Sequence, residues 1–236
     1  MVAEARDGGF NLIFDADDTL WDSNVHFLEA QRDFLDVLGE VGISDHVEIH
    51  SSLRRHELKI IELIGYGRAP FVTALRRTAV ELAPPHHHDA IHLQVSRIGD
   101  RLLNRHCELL PGVEETLNQL SQRHRLLLFT KGQPDEQMRK LERSGLRSLF
   151  HRVGIPLEKD PMAYRLLVAQ AELDPTRTVM IGNSPRSDIN PALKAGLRAA
   201  VYIPHPHTWD LEHEELDEAD ARLLQIRVFP QLLQVF

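Results

Sequence analysis

The chain has 236 residues, 42% of them hydrophobic and 26% charged, and its 27 Lys and Arg against 35 Asp and Glu leave a net charge of −8. That composition fits a core domain of ordinary size, alone or with a smaller insert, and argues against a disordered tail or a membrane-embedded chain. An acidic surface disfavours broad nucleic-acid binding, which needs a basic footprint, but leaves room for a small anionic ligand at a local site.

The first apolar run, Phe10–Phe14, is followed at once by Asp15-Ala16-Asp17-Asp18-Thr19. It predicts a buried strand that delivers carboxylates at its C-terminal end. Apolar residues from Val25 to Val41 keep near-heptad spacing and predict a helix, broken by Gly42 and Ser44. Further periodic segments run from about Val47 to Ile64, Pro70 to Leu82 and Asp89 to Cys107. No strand is expected between Ser23 and Cys107. After Pro111-Gly112 the pattern changes to alternation. Helix Val113–Ser121 leads to strand Arg125–Phe129, helix Pro134–Ser144, a short strand near Val153 and a helix from Asp160-Pro161 to Glu172. Strand Thr178–Ile181, helix Ser187–Ala195 and strand Ala199–Ile203 complete the series. This rhythm predicts a parallel sheet covered on both faces. The expected fold is α/β: a Rossmann-like parallel core from residues 1–22 and 108–236, split by an all-helical cap at 23–107.

Open parallel sheets bind ligands at the carboxyl ends of their strands. The first strand brings Asp15, Asp17, Asp18 and Thr19 there; the second brings Thr130, Lys131 and Gly132. The fourth brings Gly182, Asn183 and Ser184, with Asp188 just beyond, and Lys159 precedes the intervening helix. Asp and Asn often cap helices after strands, which accounts for one such tip. Three tips and a lysine distant in sequence point to a site.

These motifs resemble those of the haloacid dehalogenase-like hydrolase superfamily, of the helical-cap phosphatase type. Asp15-Ala16-Asp17-Asp18-Thr19 is similar to its DxDxT signature, and Leu126–Thr130 resembles its apolar strand ending in Ser or Thr. Lys159 matches its lysine, and Gly182-Asn183-Ser184-Pro185-Arg186-Ser187-Asp188 resembles its closing acidic motif. The resemblance implies a Mg²⁺-dependent phosphomonoester hydrolase acting on a small phosphorylated metabolite. Asp15 is then the nucleophile that forms an aspartyl-phosphate, and Asp17 the acid and base. Thr130 and the amides of Lys131 and Gly132 hold phosphate oxygens at a helix start, and Lys159 neutralises charge shared with Asp15. Asp15, the backbone carbonyl of Asp17, Asn183 and Asp188 are the implied metal ligands. Asn183 departs from the pattern, which usually has an aspartate there, so Asp188 becomes the more important acid.

A 2-haloacid dehalogenase is the first rival. Enzymes of that kind share the fold and the Asp nucleophile, and some carry Asn in the closing motif. They lack the second aspartate of the first motif, so Asp17 argues for phosphate. Phosphonate cleavage is disfavoured for the same reason, and a non-catalytic scaffold by the intact Asp15, Asp17, Thr130 and Lys159.

Other features are read more plainly. Asp18 is expected to support its loop, and Cys107 to be a small buried hydrophobe; a single cysteine excludes a disulfide framework. His86-His87-His88 is expected to be a solvated loop. Arg54, Arg55, Arg68, Arg76 and Arg77 are mostly solvated helix faces, and His205 and His207 stand at the active-site edge. With no basic, apolar leader in Met1–Gly9 and no membrane-length apolar run, a cytoplasmic monomer or homodimer is expected.

Overall fold

The strands are β1 (Asn11–Phe14), β2 (Arg125–Phe129), β3 (Arg152–Gly154), β4 (Thr178–Gly182), β5 (Ala199–Tyr202) and β6 (Leu223–Gln225). In the computed structural model, which describes residues 8–236, they form one sheet in the order β3-β2-β1-β4-β5-β6. Every neighbouring pair is parallel. The chain runs outward from β1 through β2 to β3, then returns to β4 on the other side of β1. The order therefore reverses between β1 and β4, and that switch point is where open sheets leave a crevice for ligands.

Apolar runs explain the strands. Leu12, Ile13 and Phe14 of β1 and Val179, Met180 and Ile181 of β4 are all buried, as a sheet covered on both faces requires. Leu12, Phe14, Leu126, Leu128, Val179 and Ile181 pack on one side, with Val113, Leu117 and Leu120 of helix α5 (Val113–Ser121). Ile13, Leu127, Met180 and Ala200 pack on the other, with Tyr164, Leu167 and Val168. The alternation along each strand sends successive side chains to opposite layers.

Two compact units divide the chain. One holds residues up to Asn24 together with Cys107–Phe236, and the other holds Val25–His106. The second consists of α1 (Asn24–Gly39, all but its first residue), α2 (His46–Ile64), α3 (Arg68–Leu82) and α4 (His88–Asn104). Phe34, Leu38, Ile49, Leu53, Phe71, Leu75, Val95 and Ile98 make its own core. Within the first unit the chain on either side of the insertion is paired: Asp22 N–H donates to Glu108 O at 3.1 Å and Leu110 N–H to Leu20 O at 2.9 Å. The chain thus leaves and re-enters the sheet unit through two adjacent segments.

Three elements depart from the sequence expectation. The helix expected at Ser187–Ala195 is divided into a wide turn at Pro185–Ile189 and α8 (Asn190–Lys194). Ser184 O accepts from both Asp188 N–H and Ile189 N–H, and Pro191 has no N–H to continue an ordinary ladder from that turn. Helix α7 (Pro161–Gln170) ends before Glu172, which has a positive φ of 52°. Strand β6 and helix α9 (Leu232–Val235) were not expected; both are short, and β6 is an exposed edge. Helix α6 (Pro134–Arg143) lies as expected. No helix among the described residues is long and apolar enough to cross a membrane.

Candidate active site

The carboxyl ends of β1 and β4 bring Asp15, Asn183 and Asp188 together with Lys159. Asp15 directly follows β1, where its N–H donates to Ile181 O of β4 at 2.9 Å. Lys159 precedes the N-cap Asp160, whose carboxylate accepts from Ala163 N–H at 2.7 Å and starts α7. The Lys159 ammonium donates to Asp15 Oδ1 and, at 2.7 Å, to Asp188 Oδ1. Asp188 is fully buried, and its other oxygen accepts from Ser184 N–H at 3.0 Å.

Two carboxylates share one ammonium, so the cluster has a net negative charge when all three groups are ionised. Burial pushes the Asp188 carboxyl up to about 7 against the pull of Lys159. It pushes Asp15 up as well, again opposed by Lys159. Burial alone would weaken the charge on Lys159, but Asp15 and Asp188 outweigh it and hold the ammonium more firmly than usual. A buried surplus of negative charge next to a single lysine favours a further cation.

Close approach makes this geometry possible. A Cβ at Gly182 would lie 2.2 Å from Asp188 Oδ2, so only glycine lets the end of β4 run beneath the carboxylate. Thr19 completes the cluster, with Oγ1 3.0 Å from Asp15 Oδ2 and 3.1 Å from Asn183 Oδ1. Asp15, Asn183 and Asp188 offer oxygen atoms only, the hard donor type that Mg²⁺ takes.

Asp17 faces a different group of partners. Its Oδ1 accepts from Trp21 Nε1 at 2.7 Å and from Lys140 Nζ at 3.0 Å. Its Oδ2 accepts from Gln137 Nε2 at 2.8 Å and Lys140 Nζ at 3.1 Å. Burial works to raise its pKa, but Lys140, Gln137 and Trp21 prevail and hold it at about 2. Gln137 Nε2 also reaches Thr130 Oγ1 at 3.1 Å and the Lys131 carbonyl. Gln137 therefore ties Asp17 to the tip of β2. Gly132 is required in this turn: its φ is +133°, and a Cβ there would meet Gln137 at 2.9 Å.

Lys131 turns away from Asp15. Its ammonium donates to Glu212 Oε1 at 2.7 Å and lies 3.7 Å from Glu158. Ser184 Oγ donates to Glu212 Oε2 at 2.5 Å. Burial would raise the Glu212 carboxyl, but Lys131 and Ser184 hold it below its ordinary value. The cation on Asp15 is thus Lys159 and not Lys131.

Asp18 has the supporting role expected of it: its Oδ1 accepts from Ser23 N–H at 2.8 Å and Asn24 N–H at 3.0 Å. His205 lies against Asp22 at 3.1 Å and Asp18 at 3.8 Å, and these three groups offer ligand atoms within 4.8 Å of one another. His207 is exposed. Cys107 is half-buried against the sheet core. In the helical unit Arg55 pairs with Glu81, buried Arg68 donates to Arg105 O at 2.8 Å, and Arg54, Arg76 and Arg77 are exposed. His86 is exposed, and His87 and His88 are half-buried.

Trp21, Gln137, Lys140 and Glu212 were not singled out in the sequence, and Thr208 only as part of the His205–Trp209 segment at the active-site edge. One signal was available for two of them. Helix α6 lies between strands and must bury a face, yet Met138 and Leu141 are its only large apolar residues. The rest of that face has to be polar, and Gln137 and Lys140 are its neighbours at helical spacing.

A parallel α/β core with an aspartate–lysine–aspartate cluster at its switch point, and a helical segment inserted after the first strand, defines a class of α/β enzyme. Residues 11–196 match the haloacid dehalogenase-like hydrolases, and the chain belongs to that family. A haloacid dehalogenase-like family hydrolase from Xanthomonas campestris superposes with a TM-score of 0.81 at 29% identity, covering 98% of this chain and 94% of that one. A phosphoserine phosphatase of Thermus thermophilus is 29% identical over 65% of this chain and 63% of its own length. The human N-acylneuraminate-9-phosphatase is 31% identical over 42% of each. The chain thus spans less than two thirds of the curated relatives it matches. A 2-haloacid dehalogenase from Pseudomonas syringae has the same fold, with a TM-score of 0.64 at 20% identity.

Proposed function

We propose that this hydrolase cleaves phosphomonoesters of small metabolites with Mg²⁺, through a phosphoryl group carried on Asp15. The observation that carries this reading is the Asp15–Lys159–Asp188 cluster, whose surplus negative charge calls for a cation and whose first member stands at the strand tip. The phosphatase relatives support the phosphate side of the reading. Asp17 supports it over a dehalogenase, because a halide leaves without a proton whereas an alkoxide needs one.

Asp15, Asn183, Asp188 and the backbone carbonyl of Asp17 are the residues to hold the ion. When bound, Mg²⁺ offsets the repulsion between these carboxylates and a phosphate dianion. Asp15 Oδ attacks phosphorus; its P–O bond forms as the ester P–O bond breaks, and the leaving oxygen takes a proton from Asp17. Water then attacks the aspartyl-phosphate, giving its proton to Asp17 and restoring Asp15 with release of inorganic phosphate. Thr130 and the amides of Lys131 and Gly132 bind the phosphate oxygens at the start of α6. Lys159 opposes the effect of burial on Asp15 and orients its carboxylate.

The donors around Asp17 hold it as an anion, so its acid role requires it to leave Lys140 and take up a proton before the leaving group departs. The helical unit at residues 25–106, read as a cap, selects among leaving groups. The protein acts as a monomer or homodimer in the cytoplasm, without nucleic-acid or membrane partners. Phosphate release from an aryl phosphate, with Mg²⁺ and after exhaustive chelation, tests the reading. Hydrolysis that needs Mg²⁺ and vanishes in Asp15→Asn is expected. Metal-independent chloride release from 2-chloropropionate would sink it.

A further inference from the structure

The side-chain amide of Asn183 has a definite orientation, and the residue that sets it lies outside the recognised motifs. Thr208 Oγ1 is 3.0 Å from the carbonyl oxygen of His205 and 3.0 Å from Asn183 Nδ2. A hydroxyl carries one proton, and a carbonyl can only accept. The Thr208 proton therefore goes to His205 O, and Thr208 faces Asn183 as an acceptor. Only the NH₂ end of the amide can satisfy it.

The oxygen end of Asn183 is thereby turned to Thr19, 3.1 Å away, beside Asp15. Thr19 also has one proton and two acceptors in reach, Asp15 Oδ2 and Asn183 Oδ1. The carboxylate is the stronger acceptor. Asn183 is 5% exposed and Thr208 7%, so water does not easily replace either contact. Asn183 Oδ1 has two lone pairs and Thr19 takes at most one of them, so this buried carbonyl oxygen keeps an acceptor position beside Asp15.

We infer that Thr208 is a positioning residue for divalent-cation binding, holding Asn183 so that its amide oxygen and not its NH₂ faces the ion. The inference rests on the Mg²⁺ reading above. The need for Thr208 follows from the residue at position 183. An aspartate has oxygens at both ends of its carboxylate and presents the same ligand after a half-turn. An asparagine that makes the same half-turn replaces a ligand with two N–H groups that repel a cation. Thr208 therefore matters because position 183 is an amide, and it should lose its importance when that position is acidic.

Mn²⁺ binding to the full, substrate-free chain, measured by calorimetry, tests this without reference to turnover. Thr208→Val should weaken binding by roughly tenfold or more, the range seen when a group supporting a ligand is removed. Thr208→Ser keeps the hydroxyl and should restore most of it. In the Asn183→Asp background, Thr208→Val should change the affinity little. That double variant also serves as the folding control, since it carries the same valine. Equal losses in both backgrounds would make Thr208 a purely structural residue and overturn the inference, as would unaltered affinity in Thr208→Val alone. If the unmodified chain binds no Mn²⁺, the cation reading itself fails and takes the inference with it.

Discussion

Asp17 and Asp15 lie two residues apart on one loop, yet their surroundings set them to different tasks. Asp15 is buried with Lys159, and burial raises its carboxyl against the pull of the ammonium. Asp17 is held at about 2 by Lys140, Gln137 and Trp21 against the effect of its burial. At pH 7 such a group is protonated in roughly one molecule in a hundred thousand. Removing the ammonium raises the carboxyl, because the ionised form loses its main partner while burial still disfavours it. Asp17 must be protonated while Asp15, raised by burial, must be ionised, so the competent form is a minor species, and Lys140→Met should enlarge it roughly tenfold for each unit by which the Asp17 carboxyl rises. The resulting gain in kcat/KM at neutral pH should be larger for alkyl than for nitrophenyl phosphates, whose leaving groups need less protonation. An unchanged or lower kcat/KM for alkyl phosphates would mean that Lys140 does not restrain the acid. Asp15, Lys159, Asn183 and Asp188 were legible as chemistry-bearing residues because each stands near a strand end. The residues that grip Asp17 were not, because a Gln and a Lys in a polar helix look like solvent-facing residues until the missing apolar face of α6 is noticed.

Each element positions the site through its terminus. The end of β4 passes so close to Asp188 that no side chain fits at Gly182. Asp188 has little freedom to yield, since Lys159 and Ser184 N–H hold both of its oxygens. Gly182→Ala should cost ~1–3 kcal/mol of stability through overpacking. By displacing the carboxylate it should also lower turnover about a hundredfold although no functional group is removed. Thermal unfolding and steady-state kinetics of this one variant check both figures; wild-type kinetics would show that Asp188 need not sit where it does. Helix α7 was readable in advance from Asp160-Pro161, a side-chain cap followed by a residue with no N–H to lose. The turn at Pro185–Ile189 was not, because its register depends on two N–H groups sharing Ser184 O, a competition that periodicity does not record.

On the scale of the whole chain, the strand–helix rhythm made the parallel core legible. Fully buried strands such as β1 and β4 have to be apolar throughout, and the helical insert has its own periodic stripes. Strand β6 escaped because it has three residues on a sheet edge, two of them exposed, and carries no such run. The paired segments Leu20–Asp22 and Glu108–Leu110 bring the two ends of the insertion side by side within the sheet unit. Replacing residues 25–106 with a short glycine-containing link should therefore leave the parallel core able to form. If the insert is the cap that selects leaving groups, the shortened protein should keep some activity on small aryl phosphates and lose its preferences among sugar, acid and nucleotide phosphates. A folded capless protein with an unchanged substrate ranking would contradict that role.

The central claim, that phosphate passes through Asp15, can be read from a covalent adduct. Acid quenching of the Mg²⁺-loaded protein during turnover of a ³²P-labelled phosphomonoester, followed by peptide mapping, should place the label on the peptide containing Asp15. The bond should be labile to hydroxylamine, as an acyl phosphate is, and Asp15→Asn should carry no label. Label on a different residue, or steady turnover with no labelled protein under conditions where hydrolysis of an acyl phosphate limits the rate, would contradict the account.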